Sequence, residues 1–264
     1  MKIAIRYYSG AGNTKFVAKK ITKALKQNSH RVSSVKVSEE SNREGIDDDF
    51  DVLGIGFPIY FREAPELLFD LLKRMEGKKR PVFFFTTKGL YSGDAMKNIM
   101  AFSVDQNFSP VSFAEFFMPG TDFLILFAKK DSLMERVLKR IHSRDIDKKV
   151  AELIRKVEGA LPAKTPRQKW YTDFDERVVK YFENKYDNHH RAYIGQFHSN
   201  PETCIECMKC VNGCPRHNIV LDGHIDFGES CDVCFNCIHN CPTDAIDIGK
   251  ITAGNVRVKK VELL

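Results

Sequence analysis

Cysteine is missing from the first 203 residues of the chain; all eight fall between Cys204 and Cys241. An oxidised, secreted scaffold would spread disulfides through its fold, so this clustering points to metal rather than to cross-links. Long apolar runs are missing too. The best of them, 123–128, is short and is followed by Lys129, Lys130 and Asp131, against the ~20 apolar residues that a bilayer crossing needs. The N-terminus enters an alternating strand, MKIAIRYY, with no apolar leader and no small-residue cleavage site, so a cytoplasmic location is expected. Charge of one sign is also scarce. A net charge of +6 is mild and lacks the dense basic stripe of a nucleic-acid binder. At most it favours an acidic redox partner.

What is present is an ordinary globular composition, 43% apolar and 29% charged over 264 residues, enough for one large domain or two smaller ones. Strand and helix alternate through residues 1–160. Strands are expected at 2–8, 31–37, 51–57, 81–87 and 111–117, and helices at 15–27, 65–75 and 94–102. A long helical pattern covers 132–158, with Leu133, Val137, Leu138, Ile141 and Ile146 near helical spacing. Near-continuous apolar strands between helices indicate an α/β domain, a doubly wound, five-stranded parallel sheet covered on both faces. Residues 161–197 read as a linker and a helix at 170–188, expected to pack between two halves or to cap one of them. Residues 198–264 form a second, small α+β unit, in which 256–263 has strand character.

Within that second unit the chain repeats itself. Cys204, Cys207, Cys210 and Cys214 recur 27 positions later as Cys231, Cys234, Cys237 and Cys241, each quartet ending in Cys-Pro. Three thiolates so closely spaced can wrap one face of an iron–sulfur cube. Zinc is the competing reading, since Cys-x2-Cys pairs also build zinc ribbons, but zinc has no use for the third cysteine or the repeated Cys-Pro. So short a unit has a poor core of its own, and metal would hold it together. His198, His217, His224 and His239 lie nearby and read as surface or core residues, because the ligand count is already filled.

Residues 200–250 resemble a bacterial-type 2[4Fe–4S] ferredoxin. The resemblance implies that Cys204, Cys207, Cys210 and Cys241 hold one [4Fe–4S] cluster and that Cys231, Cys234, Cys237 and Cys214 hold the other, the fourth cysteine of each repeat being exchanged.

At the other end, Ser9-Gly10-Ala11-Gly12-Asn13-Thr14 lies between a buried strand and a helix. Its glycines admit close approach of an anion, and the helix start offers free N–H groups. It is neither a Walker A loop nor a G-x-G-x-x-G fingerprint, since Lys15 stands at the third glycine. The segment YYSGAGNTKFVAKKI resembles the phosphate loop of flavodoxins, [S/T]-x-T-G-x-T, with Ala11 in place of the middle threonine, so that the loop has one hydroxyl fewer to offer a phosphate. The resemblance implies a flavodoxin-like fold binding FMN. Its ring would lie between a loop carrying Pro58, Ile59 and Tyr60 and one carrying Thr87, Lys88, Gly89 and Tyr91. Tyr60 and Tyr91 are candidates to stack on the ring. Lys88 is a candidate to support the reduced flavin, or else a solvated lysine.

As a whole the chain resembles the flavodoxin–ferredoxin fusion proteins. The expected function is an electron relay between FMN and two [4Fe–4S] clusters, joining one- and two-electron carriers, with donor and acceptor proteins not identified by the sequence. The flavin edge, or the Tyr60 and Tyr91 loops, should then face the cysteine unit; a homodimer would leave transfer between subunits open. The alternatives are an FMN-dependent reductase fed by its own clusters, and a redox-sensing interaction module. No nicotinamide fingerprint, catalytic acid–base pair, nucleic-acid motif or membrane span stands out.

Overall fold

The computed structural model describes residues 1–43, 49–89, 93–140, 145–159 and 191–258. Five parallel strands form one sheet: β1 (Lys2–Tyr7), β2 (Arg31–Lys36), β3 (Val52–Pro58), β4 (Pro81–Lys88) and β5 (Ser109–Phe117), in the order β2-β1-β3-β4-β5. Registers run Lys2 beside Arg31, Ile3 beside Val52, Leu53 beside Val82 and Pro81 beside Ser109, with an irregularity between Val82 and Phe83. The order matches the flavodoxin-like sheet expected from the sequence. It places the topological switch between β1 and β3, so the loops after these strands open on one edge, where such sheets hold ligands.

The central strand β3 is buried throughout, whereas β2, at the sheet edge, is largely exposed. Helix α1 (Asn13–Gln27) turns Val17, Ala18, Ile21 and Leu25 onto one face of the sheet, where they share a core with Val150, Leu153 and Ile154 of α7 (Ile146–Glu158). The opposite face is covered by α3 (Glu66–Arg74) and α4 (Ala95–Asp105), through Leu68, Leu72 and Ile99. A short α2 (Glu39–Arg43) follows β2.

One expectation changes. The pattern over 132–158 does not form one helix. It divides into α6 (Leu133–Lys139) and α7, with 141–144 outside the described residues. Ser132 caps α6 by accepting from the Glu135 amide at 3.2 Å, while Leu133 and Val137 stand 74% and 51% exposed. Their spacing is helical, but their face is not core. The apolar run 123–128 lies in a helix of its own, α5 (Thr121–Phe127). The helix expected at 170–188 lies outside the described residues; among the described residues, α5 packs between the two units. Leu124 and Ala128 pack with Leu138 and Val256, while Ile125 and Leu126 join the core of the cysteine unit.

The cysteine unit is a pair of matching halves. Helices α8 (Lys209–Gly213) and α9 (Asn236–Asn240) each start after a left-handed residue, Met208 and Phe235, and end on an extended cysteine, Cys214 and Cys241. Left-handed Glu206 and His217 recur as Val233 and Asp244. Strand β6 (Phe197–Ser199) pairs with β9 (Ile246–Ile248), and β7 (Ile219–Asp222) with β8 (His224–Phe227), both antiparallel. The strand expected at 256–263 is not seen over 256–258, and the rest lies outside the described residues. Instead Asn255 forms an isolated bridge with Lys129, and the Val256 amide donates to the Ala128 carbonyl at 2.9 Å.

Candidate functional site

The loop after β1 is shaped by Gly12, whose φ of 106° is a left-handed conformation that a side chain would strain. Gly12 caps α1 through its carbonyl, which accepts from the Phe16 amide at 2.9 Å. Gly12 has no side chain to cap this helix, and its first amides, Asn13 and Thr14, have no acceptor within the helix. The loop's side chains are engaged with protein. Ser9 Oγ accepts from the Lys15 amide at 3.2 Å, Asn13 Nδ2 donates to the Pro119 carbonyl at 2.9 Å, and the Thr14 and Thr87 hydroxyls meet at 2.8 Å. Backbone N–H groups are thus what the loop offers an anion, with Ala11 half-buried among them. This cradle fits a phosphate group.

The loops expected beside it are joined to each other. Pro58 ends β3 buried, and the Ile59 amide donates to the Thr87 carbonyl at 3.1 Å. Tyr60 turns inward rather than outward. It is 8% exposed, lies edge-on to Tyr8 at 6.1 Å between ring centroids, and brings its hydroxyl over Gly10. Phe61, in a left-handed conformation, packs against Phe235 of the cysteine unit and against Tyr193. Lys88 is not a solvated lysine. Its ammonium pairs with Glu115 at 2.8 Å and lies over the Phe117 ring. Gly89 is half-buried, and Tyr91 lies outside the described residues.

The eight thiols ring two cavities. One is lined by Cys204, Cys207, Cys210 and Cys241, the other by Cys214, Cys231, Cys234 and Cys237. The fourth cysteine of each repeat therefore faces the other repeat's three. Backbone amides already point at sulfur: Asn218 N to Cys214 Sγ at 3.4 Å, Val233 N to Cys231 Sγ at 3.3 Å and Ala245 N to Cys241 Sγ at 3.2 Å. Burial pushes the Cys231 thiol up to about 12 and Cys234 up to about 11, and lifts Cys237 and Cys210 as well, with neighbouring thiols adding to the effect at Cys231 and Cys237. Such thiols ionise readily only beside compensating positive charge, which ligand-bound iron supplies. Donor type, amide orientation and the division into two quartets fit two four-iron clusters. Of the nearby histidines, His198, His217 and His224 are exposed. His239 is fully buried, its pKa pulled down to about 4 by burial, and its Nδ1 accepts from the Val258 amide.

The two units meet at these sites. A β-carbon added to Gly10 would lie 2.7 Å from the Cys234 carbonyl oxygen and would collide with Tyr60 Oη, so only glycine lets the β1 loop approach the cysteine unit this closely. Cys234 shares a core with Tyr8 and Tyr60. Beside this contact Arg216 binds Asp232 and Glu66 at 2.8 Å and Glu39 at 3.2 Å, and the Glu39 amide donates to the Pro215 carbonyl at 2.8 Å. Those carboxylates hold Arg216 firmly charged against its own desolvation.

Sequence reasoning missed Tyr8, Asp232 and Arg216. The repeat sets Arg216 opposite Thr243, but most non-cysteine positions of the two copies differ as well, so nothing in the sequence singled it out.

No curated protein matches the chain. Solved structures similar to it include the two-electron reduced flavodoxin of Megasphaera elsdenii, 28% identical over 43% of this chain and 84% of that one, with a TM-score of 0.36. A flavoprotein from Lactobacillus acidophilus in complex with FMN is 21% identical over 43% of this chain and 92% of its own, with a TM-score of 0.36. A flavodoxin of Pseudomonas aeruginosa is 13% identical over 61% of this chain and 99% of its own, with a TM-score of 0.42. The family model described as a flavodoxin domain matches residues 4–107, and the N-terminal part of the chain is accordingly flavodoxin-like.

Proposed function

We propose that this chain is an electron relay, passing electrons between FMN at the β1 loop and two [4Fe–4S] clusters in the cysteine unit. The flavodoxin-domain match, the glycine-shaped loop and the first amides of α1 support FMN, whose phosphate the backbone amides of residues 10–14 would hold. The crossed quartets support the clusters, with Cys204, Cys207, Cys210 and Cys241 on one and Cys214, Cys231, Cys234 and Cys237 on the other. Flavin can exchange two electrons at once and the clusters exchange one at a time, so joining them connects the two kinds of carrier.

The observation that carries the reading is the contact between Gly10 and Cys234. It sets one thiol quartet directly against the loop assigned to the flavin phosphate. The second quartet lies on the far side and includes Cys207, the one exposed cysteine. It is the natural exchange point with partner proteins. Anaerobic purification followed by iron, sulfide and flavin analysis tests the assignment. The reading requires about eight iron, eight sulfide and one FMN per chain, as two four-iron clusters and one flavin loop demand. Zinc without sulfide, or four iron, would sink it.

A further inference from the structure

Among the described residues, the cavity ringed by Cys214, Cys231, Cys234 and Cys237 is walled by the cysteine unit except at one point, where Tyr8 of the sheet domain enters it. Tyr8 directly follows β1 and is held there by its backbone amide, which donates to the Gly56 carbonyl at 2.8 Å. Its side chain is fully buried, with its ring edge-on to Tyr60. Yet its hydroxyl has no hydrogen-bond partner among the described residues. A buried, unpaired hydroxyl is costly, and one beside thiols that become thiolates on metal binding is a donor awaiting a charged acceptor. Tyr8 and Cys234 already pack in one core and line the same cavity. The other nearby acceptor is Asp232 Oδ2, also unpaired, but that carboxylate is bound through its second oxygen to Arg216.

We propose that Tyr8 reaches across the boundary between the two units to donate its hydroxyl proton to the Cys234 sulfur, so that the sheet domain sets the potential of the cluster nearest to it. This inference rests on the relay reading above. Hydrogen bonds to cluster sulfurs stabilise the more negatively charged, reduced state and so raise the reduction potential. Tyr8 is thus a positioning residue: it does not exchange electrons itself but makes the inner cluster a better acceptor than the outer one. Because it stands between β1 and the flavin loop, a shift of that loop would move the donor.

The test is protein-film voltammetry of the reconstituted full chain, with iron and sulfide measured on the same samples. Tyr8→Phe removes the donor and keeps the ring. One of the two cluster waves should move to more negative potential while the other stays in place. Tyr7→Phe, which removes a hydroxyl from the opposite face of the sheet, should move neither. As an independent reading that does not need Tyr8→Phe to fold, the full chain made with 3-fluorotyrosine, whose phenol is the stronger donor, should show one cluster wave moved to more positive potential. Eight-iron protein whose waves do not move in Tyr8→Phe, or do not move with 3-fluorotyrosine, would overturn the role of Tyr8 and leave the relay intact. Wild-type protein lacking iron and sulfide would overturn both.

Discussion

Gly10 and Cys234 touch across the boundary between a parallel sheet and a cysteine-rich unit, so closely that a β-carbon on Gly10 would lie 2.7 Å from the Cys234 carbonyl. The contact joins the two ends of the chain's chemistry. It makes the loop after β1 both a wall of the candidate flavin site and a wall of the cysteine unit.

Gly10→Ala should therefore loosen this junction. The new methyl would meet Tyr60 Oη as well as the Cys234 carbonyl, and overpacking of this kind costs about 1–3 kcal/mol. Thermal melting should show the loss. Flavin retention should fall with it, because the loop that bears the methyl is the one assigned to the phosphate.

Arg216 ties three acidic residues together across the same boundary. Its side chain is 11% exposed and that of Asp232 is 9%, so Arg216→Met strands a carboxylate in a low-dielectric setting. Breaking one partner of a buried pair costs roughly 3–5 kcal/mol. Denaturant unfolding should show that loss, and adding Asp232→Asn should restore part of it. Full recovery by Arg216→Lys would contradict the geometry, since one ammonium cannot match the fork that reaches Asp232, Glu66 and Glu39.

Helix α5 is the apolar part of the seam. Ile125 is fully buried in the core of the cysteine unit, and the Ile125 carbonyl accepts from Asn255 Nδ2 at 2.8 Å. Ile125→Ala should cost about 2–5 kcal/mol by opening a cavity. Limited proteolysis should then release the cysteine unit faster than in the wild type. An unchanged digestion rate would show that α5 does not hold the units together.

Asp122, in the first turn of α5, has its carboxyl raised by burial to about 6, with the Phe123 amide opposing the shift. Between its ordinary value near 3.8 and 6, the folded protein binds more protons at this site than the unfolded chain. This term therefore stabilises the fold fully below that window and is lost as pH rises through it. Asp122→Asn should remove that slope and raise stability at pH 7–8, measured by chemical denaturation across the pH range.

The sheet was legible because runs of buried strand residues and one β-branched edge run, each followed by a helix or turn, leave little choice of fold. The crossed thiol sets were legible because the repeat is complete down to Cys214-Pro215 and Cys241-Pro242. What escaped was decided by tertiary contact. Leu133 and Val137 have helical spacing yet stand in solvent, because α6 ends at Lys139 rather than continuing to the sheet. The run around Ile125 is too short to announce itself, and its value lies in having two faces that two different cores need. Tyr60 is drawn inward by Tyr8, and Lys88 by Glu115, partners that are distant in sequence.

The central claim, that electrons pass between flavin and clusters within one chain, is tested most directly by anaerobic pulse reduction of the reconstituted protein with cluster and flavin absorbance followed together. The account predicts that the clusters are reduced first and pass electrons to the flavin at a rate independent of protein concentration. A transfer rate that rises in proportion to concentration, or flavin that stays oxidised beside reduced clusters, would contradict it.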